Sequence, residues 1–251
     1  MRKREKCCII RIGDGKLKLI MCDLDNTLLP LYTQEKFVEI WFRDMAKKFN
    51  EHGLNQAIAL NAMNEGCRAM VFNQGGKHNI DVFYDVACEL SGYTRGELEP
   101  VLDDYYATTF SNVREIAREN PYATQIARLM REKAQYAVIA TMPMFPLEAC
   151  NKRLSWVGLN ASMFDLVTTC DFSTYCKPNP NYYAELLEHF NVKPSQALMI
   201  GNDVREDMEP CEQLGIDTFL VTDRIITHNL PYSRFRRGNC PVLIEYLKSL
   251  K

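Results

Sequence analysis

The chain has 251 residues, of which 47% are hydrophobic and 25% charged, and its formal net charge is −2. This length is enough for one large domain or two modest ones with a buried core. The small net charge gives no reason to expect nucleic acid or an anionic membrane as a partner. We also expect neither a signal peptide nor a membrane span, because no apolar run approaches the roughly 18 residues that a span needs.

Cysteine usage indicates the compartment. The ten cysteines include no C-x-x-C pair, so zinc ligation is not expected. Several thiols lie within apolar segments, where a free cysteine acts as a small hydrophobe: Cys22, Cys67, Cys88 and Cys150. This pattern favours a reducing environment, and we expect a cytoplasmic protein.

Two short apolar runs near the start predict strands over residues 7–12 and 16–22, with a turn at 13–15. The second run continues into Asp23 and Asp25, two acids separated by one leucine. A buried strand has no structural use for two acids at its end, because burying a charge is costly unless the charge is paired or binds a metal. This segment alone leaves two readings open, a solvated corner or a cation site that does chemistry.

Residues 31 to about 115 show helical patterns only. Apolar spacing predicts four helices, over about 34–50, 54–72, 79–91 and 95–110. Thr94 and Glu97 form a capping-box pattern that opens the last of them. We therefore expect an all-helical domain, residues 31–115, inserted after the first strand.

From Pro121 onwards strands alternate with helices. Apolar runs predict strands over 136–140, 164–169, 197–200 and 216–221. Helical patterns occur at 121–134, 146–158, 181–190, in a segment ending at Leu214, and at 241–250. This alternation predicts an α/β fold with a doubly wound, Rossmann-like parallel sheet, built from residues 1–30 and 116–251. Ligands of such sheets bind at the C-terminal ends of the strands.

Polar side chains follow four of the apolar strands, either directly or one loop later. In chain order they are Asp23 with Asp25, Thr141, Lys177, and Asp203 with Asp207. All these positions share one edge of a parallel sheet, so four carboxylates would meet one ammonium group and one hydroxyl. So many acids together demand a cation, and oxygen donors suit magnesium.

This ordered set closely resembles the motifs of the haloacid dehalogenase superfamily of phosphotransferases. The resemblance covers residues 16–30 and 116–250, and the insert resembles the cap that this family places after its first motif. It implies that Asp23 is the nucleophile, which forms an aspartyl-phosphate, and that Asp25 is the general acid and base.

The resemblance also implies the phosphate and metal contacts. Thr141 and Met142 would bind the phosphoryl group, and Lys177 would neutralise its charge and keep Asp23 ionised. The implied cofactor is Mg²⁺, with ligands from Asp23, the backbone carbonyl of Asp25, Asp203 and, through water or by orienting the lysine, Asp207. One departure concerns the fourth motif, in which an acid usually follows the glycine. Here Asn202 follows it, and we assign Asp203 and Asp207 as the acid pair because they remain four residues apart.

We therefore expect a magnesium-dependent phosphatase that acts on a small phosphorylated metabolite, with the insert closing over the site. A phosphomutase of the same fold would keep Asp25 and remains an alternative. A dehalogenase needs no acid at that position, so Asp25 argues against it. A non-catalytic binding module is the third alternative, although it would have no reason to keep these acids together with Thr141 and Lys177. The sequence indicates neither the ester nor the oligomeric state.

The remaining polar and aromatic features suggest no catalytic role. The four histidines have no mutual spacing and are His52, His78, His189 and His228. Residues 234–237, Arg-Phe-Arg-Arg, are predicted to form a solvated loop rather than a nucleic-acid patch. The aromatic stripe of the first insert helix, which includes Phe37 and Trp41, is expected to pack rather than to contact substrate. The Gly-rich stretch 73–78 either reads the substrate or only connects two helices.

Overall fold

The computed structural model describes residues 17–251. Six parallel strands form its centre: Leu19–Cys22 (β1), Tyr136–Ile139 (β2), Leu166–Val167 (β3), Ala197–Gly201 (β4), Asp217–Val221 (β5) and Arg237–Gly238 (β6). They lie in the order β3-β2-β1-β4-β5-β6. The predicted parallel α/β sheet is confirmed, whereas the strand and turn predicted over 7–15 lie outside the described residues.

β1 lies inside the sheet and determines where the site forms. Leu19 is in register with Tyr136 of β2 on one side and with Ala197 of β4 on the other. The chain adds β2 and β3 on one side of β1 and then crosses to add β4, β5 and β6 on the other. The strand order therefore reverses beside β1, and such a switch point leaves a crevice at the C-terminal strand ends.

Nine α-helices lie within residues 17–251: Gln34–Glu51 (α1), Gln56–Val71 (α2), Asn79–Ser91 (α3), Arg95–Asp104 (α4), Ala123–Lys133 (α5), Leu147–Ser155 (α6), Pro180–His189 (α7), Glu209–Leu214 (α8) and Cys240–Ser249 (α9). The first four form the helical insert between β1 and β2, as predicted. In this described part of the chain, none of the helices is both long and apolar enough to cross a membrane.

Helices cover both faces of the sheet, because alternate residues of β1 point to opposite sides. Ile20 and Cys22 belong to a core cluster that includes buried residues of α5, α9 and the insert. Leu19 and Met21 belong to a second cluster with buried residues of α7 and α8. Burial on both faces explains why β1 reads as an unbroken apolar run rather than as an alternating one.

Two local predictions need correction. The helix predicted over 95–110 ends at Asp104 and continues as a π-helical turn, Tyr105–Thr109, and a 3₁₀ segment, Phe110–Ile116. The change of helix type accompanies the burial of three aromatic rings, those of Tyr105, Tyr106 and Phe110. Secondly, residues 234–237 are not simply a solvated loop. Phe235 is buried and Arg237 begins β6, which pairs with β5.

The insert leaves and re-enters the core at one place. Leu31 and Ala117 form an antiparallel bridge. The Tyr32 backbone N–H donates to the carbonyl of Ile116, and the Arg118 N–H donates to that of Pro30, both at 2.8 Å. The two connecting segments therefore lie side by side, and we propose this junction as the boundary between residues 31–115 and the core.

Asn79 ties the insert to the core at a second place. Its side chain is fully buried at the start of α3. The Nδ2 atom lies 3.2 Å from the carbonyl oxygen of Pro143 and 3.4 Å from that of Tyr175. The Asn79 backbone N–H donates to Ser173 O at 2.9 Å. One residue thus connects the insert to the loops that follow β2 and β3.

We expect Asn79→Leu to lower the free energy of unfolding by about 1–3 kcal/mol, because the buried carbonyls of Pro143 and Tyr175 would lose their donor. Urea denaturation followed by circular dichroism measures the change. Asn61→Leu, at an exposed position on α2 of the same insert, is the matched control. Equal stability of the two variants would contradict an anchoring role for Asn79.

Candidate active site

The end of β1 runs into a tight turn that carries both acids. The Leu24 carbonyl accepts from the N–H groups of Leu28 and Leu29 at 2.9 and 2.8 Å. Asn26 adopts a φ of 63°, a left-handed conformation that asparagine tolerates better than most residues. The turn keeps Asp23, Asp25 and Thr27 at the same edge of the sheet, and the Thr27 hydroxyl lies 3.0 Å from Asp23 Oδ2.

Lys177 lies between two carboxylates. Its Nζ donates to Asp23 Oδ1 at 2.8 Å and to Asp207 Oδ1 at 2.7 Å, and its side chain is only 1% exposed. Burial lowers the pKa of Lys177, but the charges of Asp207 and Asp23 outweigh burial and raise the pKa well above its usual value. The ammonium group therefore stays charged and orients the Asp23 carboxylate.

Asp207 is held against the end of β4. Its Oδ2 accepts from the Asp203 backbone N–H at 3.0 Å. Its carboxylate also packs so closely on Gly201 that a Cβ on this glycine would overlap it. Burial raises the pKa of Asp207 to about 7, while Lys177 acts to lower it. The glycine is thus required for close approach of the Asp207 side chain rather than for an unusual φ.

Asn202 faces the predicted nucleophile. Its Oδ1 lies 2.9 Å from the Thr27 hydroxyl, the same group that contacts Asp23. Its Nδ2 donates to the backbone carbonyl of Arg224 at 2.7 Å, which fixes the amide orientation. The residue that departs from the family motif is therefore linked to Asp23 through the Thr27 hydroxyl.

Asp203 has other partners. Its Oδ1 accepts from the backbone N–H groups of Arg205 and Glu206, both at 2.9 Å, and so caps the π-helical turn Val204–Met208. Its Oδ2 lies 2.7 Å from Nε2 of His228, a histidine without a predicted role. Both carboxylate oxygens are engaged, so a metal-ligand role for Asp203 stays a prediction and Asn202 becomes a second candidate.

Thr141 carries an unused buried hydroxyl. It is 1% exposed at the end of β2, and its Oγ1 has no hydrogen-bond partner within residues 17–251. Its carbonyl accepts from the hydroxyls of Tyr182 and Thr168, both at 2.9 Å, which fixes the backbone. Buried hydroxyls usually have partners, so this one indicates a position where a ligand oxygen binds. Met142, which follows it, is half-buried.

Arg153 of α6 was not singled out from the sequence. The side chain is 1% exposed, and Nη1 donates to Asp25 Oδ2. The guanidinium carbon lies 4.7 Å from the centroid of the Phe145 ring. Burial raises the pKa of Asp25, and the charge of Arg153 opposes this. The sequence does carry one indication of a buried role, because Arg153 lies beside Leu154 on the apolar face of a predicted helix.

The predicted site residues meet in part. Lys177 contacts both Asp23 and Asp207, whereas the side chain of Asp25 bonds Arg153 and that of Asp203 contacts His228. Within residues 17–251, no three His, Cys, Asp or Glu side chains are grouped so that they could hold a metal by themselves. The candidate hard oxygens are those of the Asp23 carboxylate, the Asn202 amide or the Asp203 carboxylate, and the Asp25 backbone carbonyl. Such a set fits a largely hydrated Mg²⁺ ion rather than a cage of protein ligands.

Comparisons with known proteins identify similar sequences and folds. A family model described as haloacid dehalogenase-like hydrolase matches residues 17–215. A curated relative, the glyceraldehyde 3-phosphate phosphatase of Methanocaldococcus jannaschii, is 26% identical over 243 residues, which cover 94% of this chain and 99% of the relative.

Solved structures show the same fold. A 2-haloacid dehalogenase from Pseudomonas syringae aligns with a TM-score of 0.61 at 20% identity, covering 92% of this chain and 98% of that one. A haloacid dehalogenase-type hydrolase from Bacillus subtilis, solved with bound magnesium, aligns with a TM-score of 0.52 at 15% identity, covering 93% and 100% of the two chains.

Proposed function

This chain belongs to the haloacid dehalogenase-like hydrolases, and from that premise we propose that it is a magnesium-dependent phosphatase of a small phosphate monoester. The observation that carries the proposal is Asp25. It lies two residues after Asp23, and its Oδ1 is buried without a partner in the described part of the chain. A carboxyl oxygen in that state is suited to exchange a proton with a leaving alcohol. The relative named as a glyceraldehyde 3-phosphate phosphatase supports a phosphorylated metabolite as substrate.

In the proposed reaction an Asp23 oxygen attacks phosphorus while Asp25 gives its proton to the departing alcohol oxygen. Asp25 then takes a proton from the water that attacks the aspartyl-phosphate, which releases phosphate and restores Asp23. Lys177 neutralises charge on the phosphoryl oxygens, and the Thr141 hydroxyl donates a hydrogen bond to one of them.

Asp23, the Asp25 carbonyl and an oxygen of Asn202 or Asp203 would hold the magnesium ion. When bound, Mg²⁺ supplies further positive charge to the phosphoryl oxygens, which carry negative charge in the transition state. Phosphoryl transfer depends mainly on positioning and charge compensation, and Lys177 together with the residues at the ends of β1, β2 and β4 would provide both.

We expect the purified protein to release inorganic phosphate from members of a phosphomonoester panel only when magnesium is present. A malachite-green assay with magnesium, with EDTA, and with magnesium restored measures this. No phosphate release from any ester would contradict the proposal. Conversion of a hexose phosphate to its isomer without net phosphate release would instead identify a phosphomutase.

Arg153→Met is expected to lower kcat by about 10- to 100-fold, because Asp25 would lose the partner that orients its carboxyl group. Since Arg153 lowers the pKa of Asp25, its removal should also shift the Asp25 limb of the pH–rate profile to higher pH. Arg131→Met, at a partly exposed arginine on α5, is the matched control. Identical profiles for the two variants would contradict the role of Arg153.

A further inference from the structure

A cavity lies between the helical insert and the loop that follows β2. Its volume is about 290 Å³, and it is lined by residues of α1, α2, α3 and α4 and by residues 144–146 of the core. An engineered apolar cavity of about 150 Å³ holds one benzene molecule. The cavity therefore has room for a substituted ring.

The cavity surface is mainly apolar and rich in aromatic rings. Phe37 and Trp41 of α1 line it together with Phe83, Tyr106 and Phe145. The rings of Phe37 and Phe145 contact edge to face, with centroids 5.8 Å apart. The stripe of α1 that was expected only to pack thus also borders an open volume. Such surfaces suit flat apolar groups.

The charges that line the cavity disfavour a leaving group that carries a negative charge of its own. Three acids line it, Glu99, Asp103 and Asp171, while no Lys, Arg or His of residues 17–251 does. Glu99 pairs with Arg95 at 3.1 Å, but Asp103 and Asp171 form no ion pair with any described residue. Partial desolvation and then the charges of Glu99 and Glu148 raise the pKa of Asp103, although its side chain remains exposed.

Phe145 connects this cavity with the proposed proton donor. Its ring lines the cavity, and the Arg153 guanidinium that bonds Asp25 lies 4.7 Å from the ring centroid. Asp25 must reach the oxygen of the departing alcohol to protonate it. We therefore infer that the alcohol departs on the Asp25 side of the phosphoryl group, from which the contacts through Arg153 lead to Phe145 and the cavity.

We propose that the cavity receives the leaving group, and that the preferred substrates are phosphomonoesters of uncharged arylalkyl alcohols. The inference rests on the proposed phosphatase function. The ester P–O bond breaks as the Asp23 O–P bond forms, and the Asp25 proton converts the departing alkoxide to an alcohol, whose ring occupies the cavity. Water then returns the phosphoryl group to solution as inorganic phosphate.

The test compares kcat/KM for benzyl phosphate, 4-carboxybenzyl phosphate and glycerol 3-phosphate with magnesium present. The first two differ by one carboxylate, and none has an activated leaving group. We expect kcat/KM for benzyl phosphate to exceed that for each of the others by about tenfold or more, because only its leaving group is both apolar and uncharged. Preference for glycerol 3-phosphate would overturn the inference and leave the phosphatase function intact.

A charge reversal at Asp103 tests directly whether the acids that line the cavity disfavour anionic leaving groups. Asp103 is exposed, so Asp103→Lys should fold normally and raise kcat/KM for 4-carboxybenzyl phosphate several-fold relative to benzyl phosphate. Glu188→Lys, an equal charge change at an exposed site of α7 that does not line the cavity, should leave this ratio unchanged. The same ratio in both variants would contradict the proposed exclusion of anions.

If no ester is hydrolysed, the proposed phosphatase function fails. A binding measurement then still tests whether the cavity accepts an aromatic ring. Calorimetric titration of the wild-type protein with benzylphosphonate and with methylphosphonate measures what the ring adds. We expect benzylphosphonate to bind about tenfold tighter or more. Equal affinities would overturn the cavity assignment.

Discussion

Asp23→Asn should reduce kcat by about 10⁴-fold or more while the fold is retained, because an amide cannot act as the attacking carboxylate. The substitution keeps the shape of the side chain, and its Oδ1 can still accept from Lys177, which lies 2.8 Å from Asp23 Oδ1. Phosphate release in single-turnover and steady-state assays measures the loss. Circular dichroism and thermal unfolding verify that the variant is folded.

The matched control is Asp217→Asn, which makes the same chemical change on β5. The Asp217 carboxylate is partly exposed and contacts none of the site residues named above. We expect its kcat to remain within about twofold of the wild-type value, since surface substitutions of this kind have small effects. Comparable kcat values for the Asp23 and Asp217 variants would remove the nucleophile assignment.

Lys177→Met should abolish activity and also lower the free energy of unfolding by about 3–5 kcal/mol, because two buried carboxylates would lose their shared cation. The lysine is 1% exposed and donates to Asp23 and Asp207 at 2.8 and 2.7 Å, so water cannot replace it without rearrangement. Urea denaturation in EDTA measures the loss without compensation by a metal. Lys248→Met, at an exposed lysine on α9, should change stability little.

The loss in Lys177→Met should grow as the pH rises. Burial already raises the pKa of Asp207 to about 7, and removing Lys177 removes an influence that lowers it. A carboxyl whose pKa is higher in the folded state takes up a proton on folding, so its contribution to stability falls as pH increases through that pKa. The difference in the free energy of unfolding between Lys177→Met and the wild type should thus be small near pH 5 and larger near pH 8.

A second substitution separates charge from packing. Lys177→Met with Asp207→Asn removes one of the two uncompensated charges and should recover part of the lost stability at pH 8. No recovery in the double variant would show that the loss comes from packing rather than from charge.

The sheet and its central strand were predictable because residues close together in the sequence of β1 indicate both its burial and the site at its end. An unbroken apolar run followed by two acids indicates a strand buried on both faces that ends at a ligand site. Alternation of strands and helices then places Thr141 and Lys177 at the same edge. Each of these inferences needs only neighbouring residues and the rule that parallel strands share one polarity.

Contacts between distant segments were not predictable in the same way. The roles of Asn202 and Asp203 depend on the π-helical turn Val204–Met208, which engages Asp203 as its cap and leaves Asn202 beside Thr27. Arg153 pairs with Asp25, a residue far earlier in the chain, and helical periodicity cannot show that pairing. β6 has only two residues, too few for any periodic signal.

The side-by-side junction at Leu31 and Ala117 makes the insert a separable module of the chain. Since the chain leaves and returns at one bridge, an insert of any length adds no strain to β1 or β2. The junction itself would accept a short turn between residues 32 and 116, much as loop tips accept inserted domains. Removal would, however, uncover Phe145 and Trp156, which pack against Phe110 of the insert. A core excised in this way should therefore keep its sheet but self-associate through the exposed rings.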